Sequence, residues 1–164
     1  MLVAAVVSGS GVSAQAADPD LPPPDPPFHW RYVTQDPATT DSQCIGDPRS
    51  PECAVDTAEA CFTRRDNALC DKVAMPMGYQ TKPPQTRFSR YHIISSRRLR
   101  DVDIPAHHRN DGKWSWKAGD VQVTVHWVRC LDDGCWPGFT ETTFTMRRVG
   151  DAWAIVYWYT PRKQ

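Results

Sequence analysis

Residues 50 to 70 read SPECAVDTAEACFTRRDNALC, and the reading of this stretch decides the fold. Ser50 is a good N-cap, Pro51 suits the first helical position, and Glu52 complements the positive end of the helix dipole. Val55, Ala58 and Phe62 recur at helical spacing with Ala54 and Cys61 beside them, which marks a core-facing stripe. Asp56, Glu59 and Thr63 fall on the other side and are expected to face away from the core. In one straight helix, Cys61 and Cys70 would be separated by about 13 Å of rise, beyond disulfide reach. The chain is therefore predicted to bend at Asp66, whose side chain can cap a new turn over Asn67 to Cys70. Arg64 and Arg65 close the first helix at the negative end of its dipole.

The first residues decide how the cysteines are read. Leu2 to Val7 is a short apolar run, and Ala14-Gln15-Ala16 has the small-x-small form that precedes signal cleavage, so residues 1–16 read as a signal peptide. No Lys or Arg stands before the run, which points to a start further upstream. The run is too short to cross a bilayer, which takes about 20 apolar residues. An exported chain with six cysteines is most simply a disulfide protein, and six cysteines allow about 15 pairings. Spacing selects among them: Cys44 and Cys53 bracket a Gly-Asp-Pro-Arg-Ser-Pro turn, Cys130 and Cys135 bracket a hairpin loop, and Cys61 and Cys70 remain. Zinc would need paired Cys knuckles or a Cys/His quartet, and only Cys130 to Cys135 comes near that spacing, so no metal site is expected.

Residues 17–43 read as a proline-rich tether, because six prolines among acidic residues between Asp18 and Pro27 favour an extended, solvated chain. Residues 44–164 read as one folded domain. Arg87 to Leu99 is strand-like, Val121 to Trp127 alternates apolar and polar residues, and Phe139 to Val149 and Ala152 to Tyr159 follow across short turns. On this alternation His126 faces outward with Gln122 and Thr124, and Trp153, Tyr157 and Tyr159 share one parity. Three consecutive strands joined by tight turns form an antiparallel meander, and a helix packed on it gives an α+β domain. Lys plus Arg equals Asp plus Glu at 19 each, which leaves no global attraction toward nucleic acid or anionic membrane. Arg97, Arg98 and Arg100 form a basic cluster that Asp101 and Asp103 offset, and it reads as a solvated strand end.

The run Phe62-Thr63-Arg64-Arg65-Asp66-Asn67-Ala68-Leu69 after a leading helix, and the closing strand Gly150-Asp151-Ala152-Trp153-Ala154-Ile155-Val156-Tyr157-Trp158, resemble the NTF2-like superfamily. The resemblance, shared with cystatin-like domains, covers about residues 51 to 160. It implies a helix packed on a curved antiparallel sheet that forms a cone with a pocket; it carries no catalytic residue to this chain.

The residues themselves show no nucleophile elbow, His-Glu-x-x-His, phosphate loop or calcium loop. His107 and His108 sit in a turn-rich stretch that reads as a solvated loop, and His92 is the only base left open for a pocket. If a pocket exists, Phe62, His92, Trp127, Trp153 and Tyr157 are its expected ligand-binding residues. The leading reading is a secreted or periplasmic, noncatalytic module without cofactor. Its partner is a small apolar or aromatic ligand, another envelope protein, or a second copy of the chain through the sheet; no nucleic acid and no membrane span are expected. The alternative is an isomerase or dehydratase of the same fold with a pocket base.

Overall fold

The computed structural model describes residues 18–40, 42–75, 77–78, 86–131 and 133–161. The expected signal peptide at 1–16, Asp132 at the hairpin tip and most of the proline-bearing 76–84 segment lie outside the described residues. The elements run β1 (Arg31–Thr34), α1 (Pro51–Arg64), α2 (Asn67–Lys72), β2 (Phe88–Arg98), α3 (Ala106–Arg109), β3 (Val121–Leu131), β4 (Gly134–Cys135), β5 (Thr140–Val149) and β6 (Ala152–Tyr159). All strand pairs are antiparallel, in the order β1-β2-β3-β5-β6, with β4 hairpinned onto β3. The protein is thus an α+β domain with a six-stranded antiparallel sheet.

The helical stretch folds as its caps require. Ser50 accepts a hydrogen bond from the Cys53 N–H, and Asp66 accepts from the N–H groups of Ala68 and Leu69. Between the two helices Arg65 adopts a left-handed backbone with φ of 52°, and this turn brings the Cys61 and Cys70 Cα atoms to 5.0 Å. The three disulfides join Cys44 to Cys53, Cys61 to Cys70 and Cys130 to Cys135. A glycine relieves the steric cost of the left-handed position, so Arg65→Gly is expected to stabilise by about 0.5 to 1 kcal/mol in urea unfolding. A loss of stability would show that the Arg65 side chain outweighs its backbone cost.

One face of the sheet packs on α1. Tyr91, Ile93, Val121, Val123, Val125, Phe144, Met146, Trp153 and Ile155 meet Ala54, Val55 and Ala58 in a single core. Asp56 and Glu59, expected to face away, are 1% and 2% exposed. The periodicity shows only the most apolar side of α1, whereas the helix is covered on further sides. Tyr91 donates its phenolic proton to Asp56 from β2, and Ser42 donates to the same carboxylate from the turn tied down by Cys44–Cys53.

The segment read as a solvated tether is laid along β2. β1 pairs with Phe88 to Tyr91, and beyond it residues 18–25 cover the rest of that edge. Asp25 donates its backbone N–H to Ile93 O at 2.8 Å, and its side chain accepts from Ile93 N at 2.7 Å. Ser96 donates to Pro22 O, Arg98 pairs with Asp18 at 2.6 Å, Pro22 is buried and Leu21 rests on the core. Prolines lack donors, so the edge is satisfied through their carbonyls and through acidic side chains instead.

Candidate functional site

The sheet face opposite α1 carries Gln122 and Thr124 on β3, Thr143 and Thr145 on β5, and Tyr157 and Tyr159 on β6. A bulge decides the last two. Thr145 pairs with Tyr157 but Met146 pairs with Ile155, so Val156 is the extra residue. Trp153 and Ile155 therefore join the core, while Tyr157 and Tyr159 project to the other side. The single parity expected for Trp153, Tyr157 and Tyr159 is broken there.

Residues 101–120 cross over this face and are pinned at their C-terminal end. Arg147 grips Asp120 through two hydrogen bonds of 2.8 Å each and donates to Ser115 O at 2.8 Å. Leu99 donates its N–H to Asp120 O at 2.7 Å and accepts from the Gly119 N–H at 2.9 Å, and Trp116 N donates to His108 O at 2.9 Å. Between segment and sheet lies a cleft of about 380 Å³, lined by His107, His108, Trp116, Gln122, Thr143, Thr145, Tyr157 and Tyr159.

The wall of the cleft is an aromatic stack. His108 lies parallel to Trp116, with centroids 4.0 Å apart and an interplanar angle of 8°, and Tyr157 meets His108 edge-on at 4.8 Å. Burial pushes the His108 pKa down, and neighbouring His107 adds to the shift, so the ring is neutral at pH 7. The floor is polar and oriented. Arg97 donates twice to Gln122 Oε1, at 2.9 and 2.7 Å, which turns the Gln122 amide nitrogen toward Thr145 Oγ1 at 3.2 Å. His108 Nδ1 and Trp116 Nε1 are buried without a hydrogen-bond partner among the described residues. These groups offer ring faces, hydroxyls and an amide, which suits binding by stacking and hydrogen bonding.

The five residues expected to form a pocket are dispersed. Trp153 is a core residue, 3% exposed. Phe62 and Trp127 come together on the α1 side by holding the Arg129 guanidinium between them, at 5.7 and 4.6 Å from the two ring centroids. Trp127 also borders a separate cleft with Trp136 and Pro137. His92 stacks on Trp30 at 4.5 Å and faces its cross-strand neighbour His126 at 5.5 Å. Only Tyr157 lines the aromatic cleft. The outward placement of His126 holds; its ring stacks on Phe139 at 4.0 Å and contacts Glu141.

A second, polar cleft of about 410 Å³ lies where the 42–44 turn meets α1, lined by His29, Arg31, Ser42, Gln43, Cys44, Glu52 and Asp56. Arg31 is its centre: it pairs with Asp25 at 2.7 Å, hydrogen-bonds Glu52, and stands 3.8 Å from Asp56. Burial pushes the Asp56 pKa up, against the opposing pull of Ser42, Tyr91 and Arg31. Asp25 is also partly buried, but hydrogen bonds from Arg31 and the Ile93 N–H win and hold its pKa below the usual range.

Among the described residues no three His, Cys, Asp or Glu side chains are placed to hold a metal ion, and no helix is long and apolar enough to cross a membrane. Comparison with protein-family models, curated proteins and solved structures yields no match to the chain.

Sequence reasoning missed His108 and Trp116 as cleft residues. His107 and His108 sit in an irregular stretch with no period to assign a face.

Proposed function

We propose that the protein is an exported, noncatalytic ligand-binding module of NTF2-like or cystatin-like form, and that its site is the aromatic cleft. One observation carries this reading: a stacked Trp116–His108–Tyr157 wall stands over an oriented Gln122–Thr145 floor. The three disulfides and the lack of a membrane-crossing helix among the described residues are compatible with export. The lining holds no carboxylate, lysine or arginine and His108 is neutral, so the ligand is a small uncharged ring compound with hydroxyl or amide groups. The enzymatic alternative is second, and what favours it is the burial of Asp56 beside the polar cleft.

The test is a binding screen by saturation-transfer NMR with neutral aromatic amides and neutral glycosides. A hit is expected to lose at least about fivefold in affinity in Tyr157→Ala, since a stacking contact contributes roughly 1 to 3 kcal/mol. Gln122→Leu tests the floor in the same way, with folding checked by circular dichroism. Hits that both variants bind unchanged would place the ligand elsewhere.

A further inference from the structure

The Cys44–Cys53 bond differs from the other two disulfides in its surroundings. Cys61 and Cys70 are fully buried, and Cys130 is buried where Cys135 is exposed. Cys44 and Cys53 are both half-buried, and Cys44 borders the polar cleft. Cys44 Sγ lies 3.6 Å from Asp56 Oδ2 and 3.7 Å from Ser42 Oγ. That carboxyl is itself 1% exposed, and its burial keeps a proton on it to higher pH than on an exposed aspartate.

Cys53 sits in the opposite environment. It is the third residue of α1, with its N–H donated to Ser50 Oγ at 3.1 Å. A thiolate in the first turn of a helix is stabilised by the helix dipole, which lowers the thiol pKa. Glu52 would oppose this, but its carboxylate is paired with Arg31. One sulfur is thus placed to rest as a thiolate and the other to receive a proton. A purely structural disulfide needs neither.

We propose that Cys44–Cys53 is an exchangeable disulfide, through which the protein carries out thiol–disulfide exchange with a dithiol of the oxidoreductase class. A thiolate of the dithiol enters the polar cleft and attacks Cys44 Sγ. The Cys44–Cys53 bond breaks, and its electron pair leaves on Cys53 as the better leaving thiolate. The second thiol of the partner, deprotonated to solvent, then attacks its own sulfur in the mixed disulfide. Cys44 departs and takes the proton from Asp56, which is reloaded from solvent. Two electrons pass to the protein, the dithiol becomes a disulfide, one of its protons replaces the one that Asp56 gave to Cys44, and the other is released.

The experiment treats the folded full chain with dithiothreitol, quenches in acid at intervals, labels free thiols with a maleimide and maps the peptides. Cys44 and Cys53 are expected to react at least tenfold faster than the other four cysteines while circular dichroism stays native. Asp56→Asn is expected to slow the release of Cys44 about tenfold and to flatten its pH dependence. If that variant does not fold, Ser42→Ala supplies the same readout: it removes a hydrogen bond that lowers the Asp56 pKa, so the pH midpoint of the reaction moves up. Simultaneous opening of all three bonds, or earlier opening of Cys130–Cys135, overturns the proposal. So does an unchanged pH profile in the variant that folds.

Discussion

Glu59→Gln is expected to stabilise the fold by about 2 to 3 kcal/mol at pH 8 and to change it little at pH 5. Burial raises the Glu59 pKa from 4.5 to about 7; the Arg129 charge pulls it down and Asp56 adds to the rise. One pKa unit corresponds to about 1.4 kcal/mol between the two protonation states. The sign follows from linkage. A carboxyl whose pKa is raised by folding is protonated in the native state at pH values where the unfolded chain has released its proton. Stability is therefore full below about pH 4.5, falls as pH rises, and levels off above about 7. Glutamine keeps the neutral shape and removes that loss, so its benefit appears only on the alkaline side. His92 and His108 act in the other direction: burial lowers both pKa values, so stability from these rings falls as pH drops below 6.5. Urea unfolding of wild type and variant at pH 5, 7 and 8 measures the difference. An equal effect at all three values would mean that folding does not shift the Glu59 pKa.

Deleting residues 17–27 is expected to lower the melting temperature by about 5 to 15 °C, from a loss on the order of 3 to 4 kcal/mol. The deletion strips Asp25 from Arg31, which is left half-buried beside Asp56 and Glu52. It unpairs Arg98 from Asp18 and Asp20, exposes the Ile93 amide and carbonyl, and uncovers the core beneath Leu21 and Pro22. The exposed Asp18 pair contributes little, because water screens it. The buried edge around Asp25 and Ile93 carries the effect. Asp25→Ala in the full chain is expected to reproduce about half of it, which separates the buried contact from the length of the segment. A melting temperature unchanged within 2 °C or so would show that the docked segment is energetically passive.

What was legible in the sequence was whatever a local period or spacing records. The Ser50 and Asp66 caps, the alternation of β3 and the three short cysteine loops each follow from residues near one another, and the structure bears them out. Long-range covering leaves no such record. Asp56 and Glu59 look solvated on a helical wheel, because nothing in residues 50–70 records the covering that buries them, such as Tyr91 and Ser42 over Asp56. The bulge at Val156 sends Trp153 and Tyr157 to opposite faces, so two aromatics expected in one pocket are separated by the sheet. Composition also misled at Asp18 to Pro27. Prolines and acids mark a segment that cannot form its own core, and they do not exclude one that borrows a strand edge and two arginines.

The disulfides pair each cysteine with the next one along the chain, across separations of 9, 9 and 5 residues. An oxidant that joins cysteines in the order they emerge from a ribosome or a translocation pore would therefore produce the native set without a single reshuffling event. Each loop closes from residues already present, and the first two close before β2 arrives. Reduced, denatured chain is accordingly expected to regain its native pairs in simple air or glutathione, with little dependence on a disulfide isomerase.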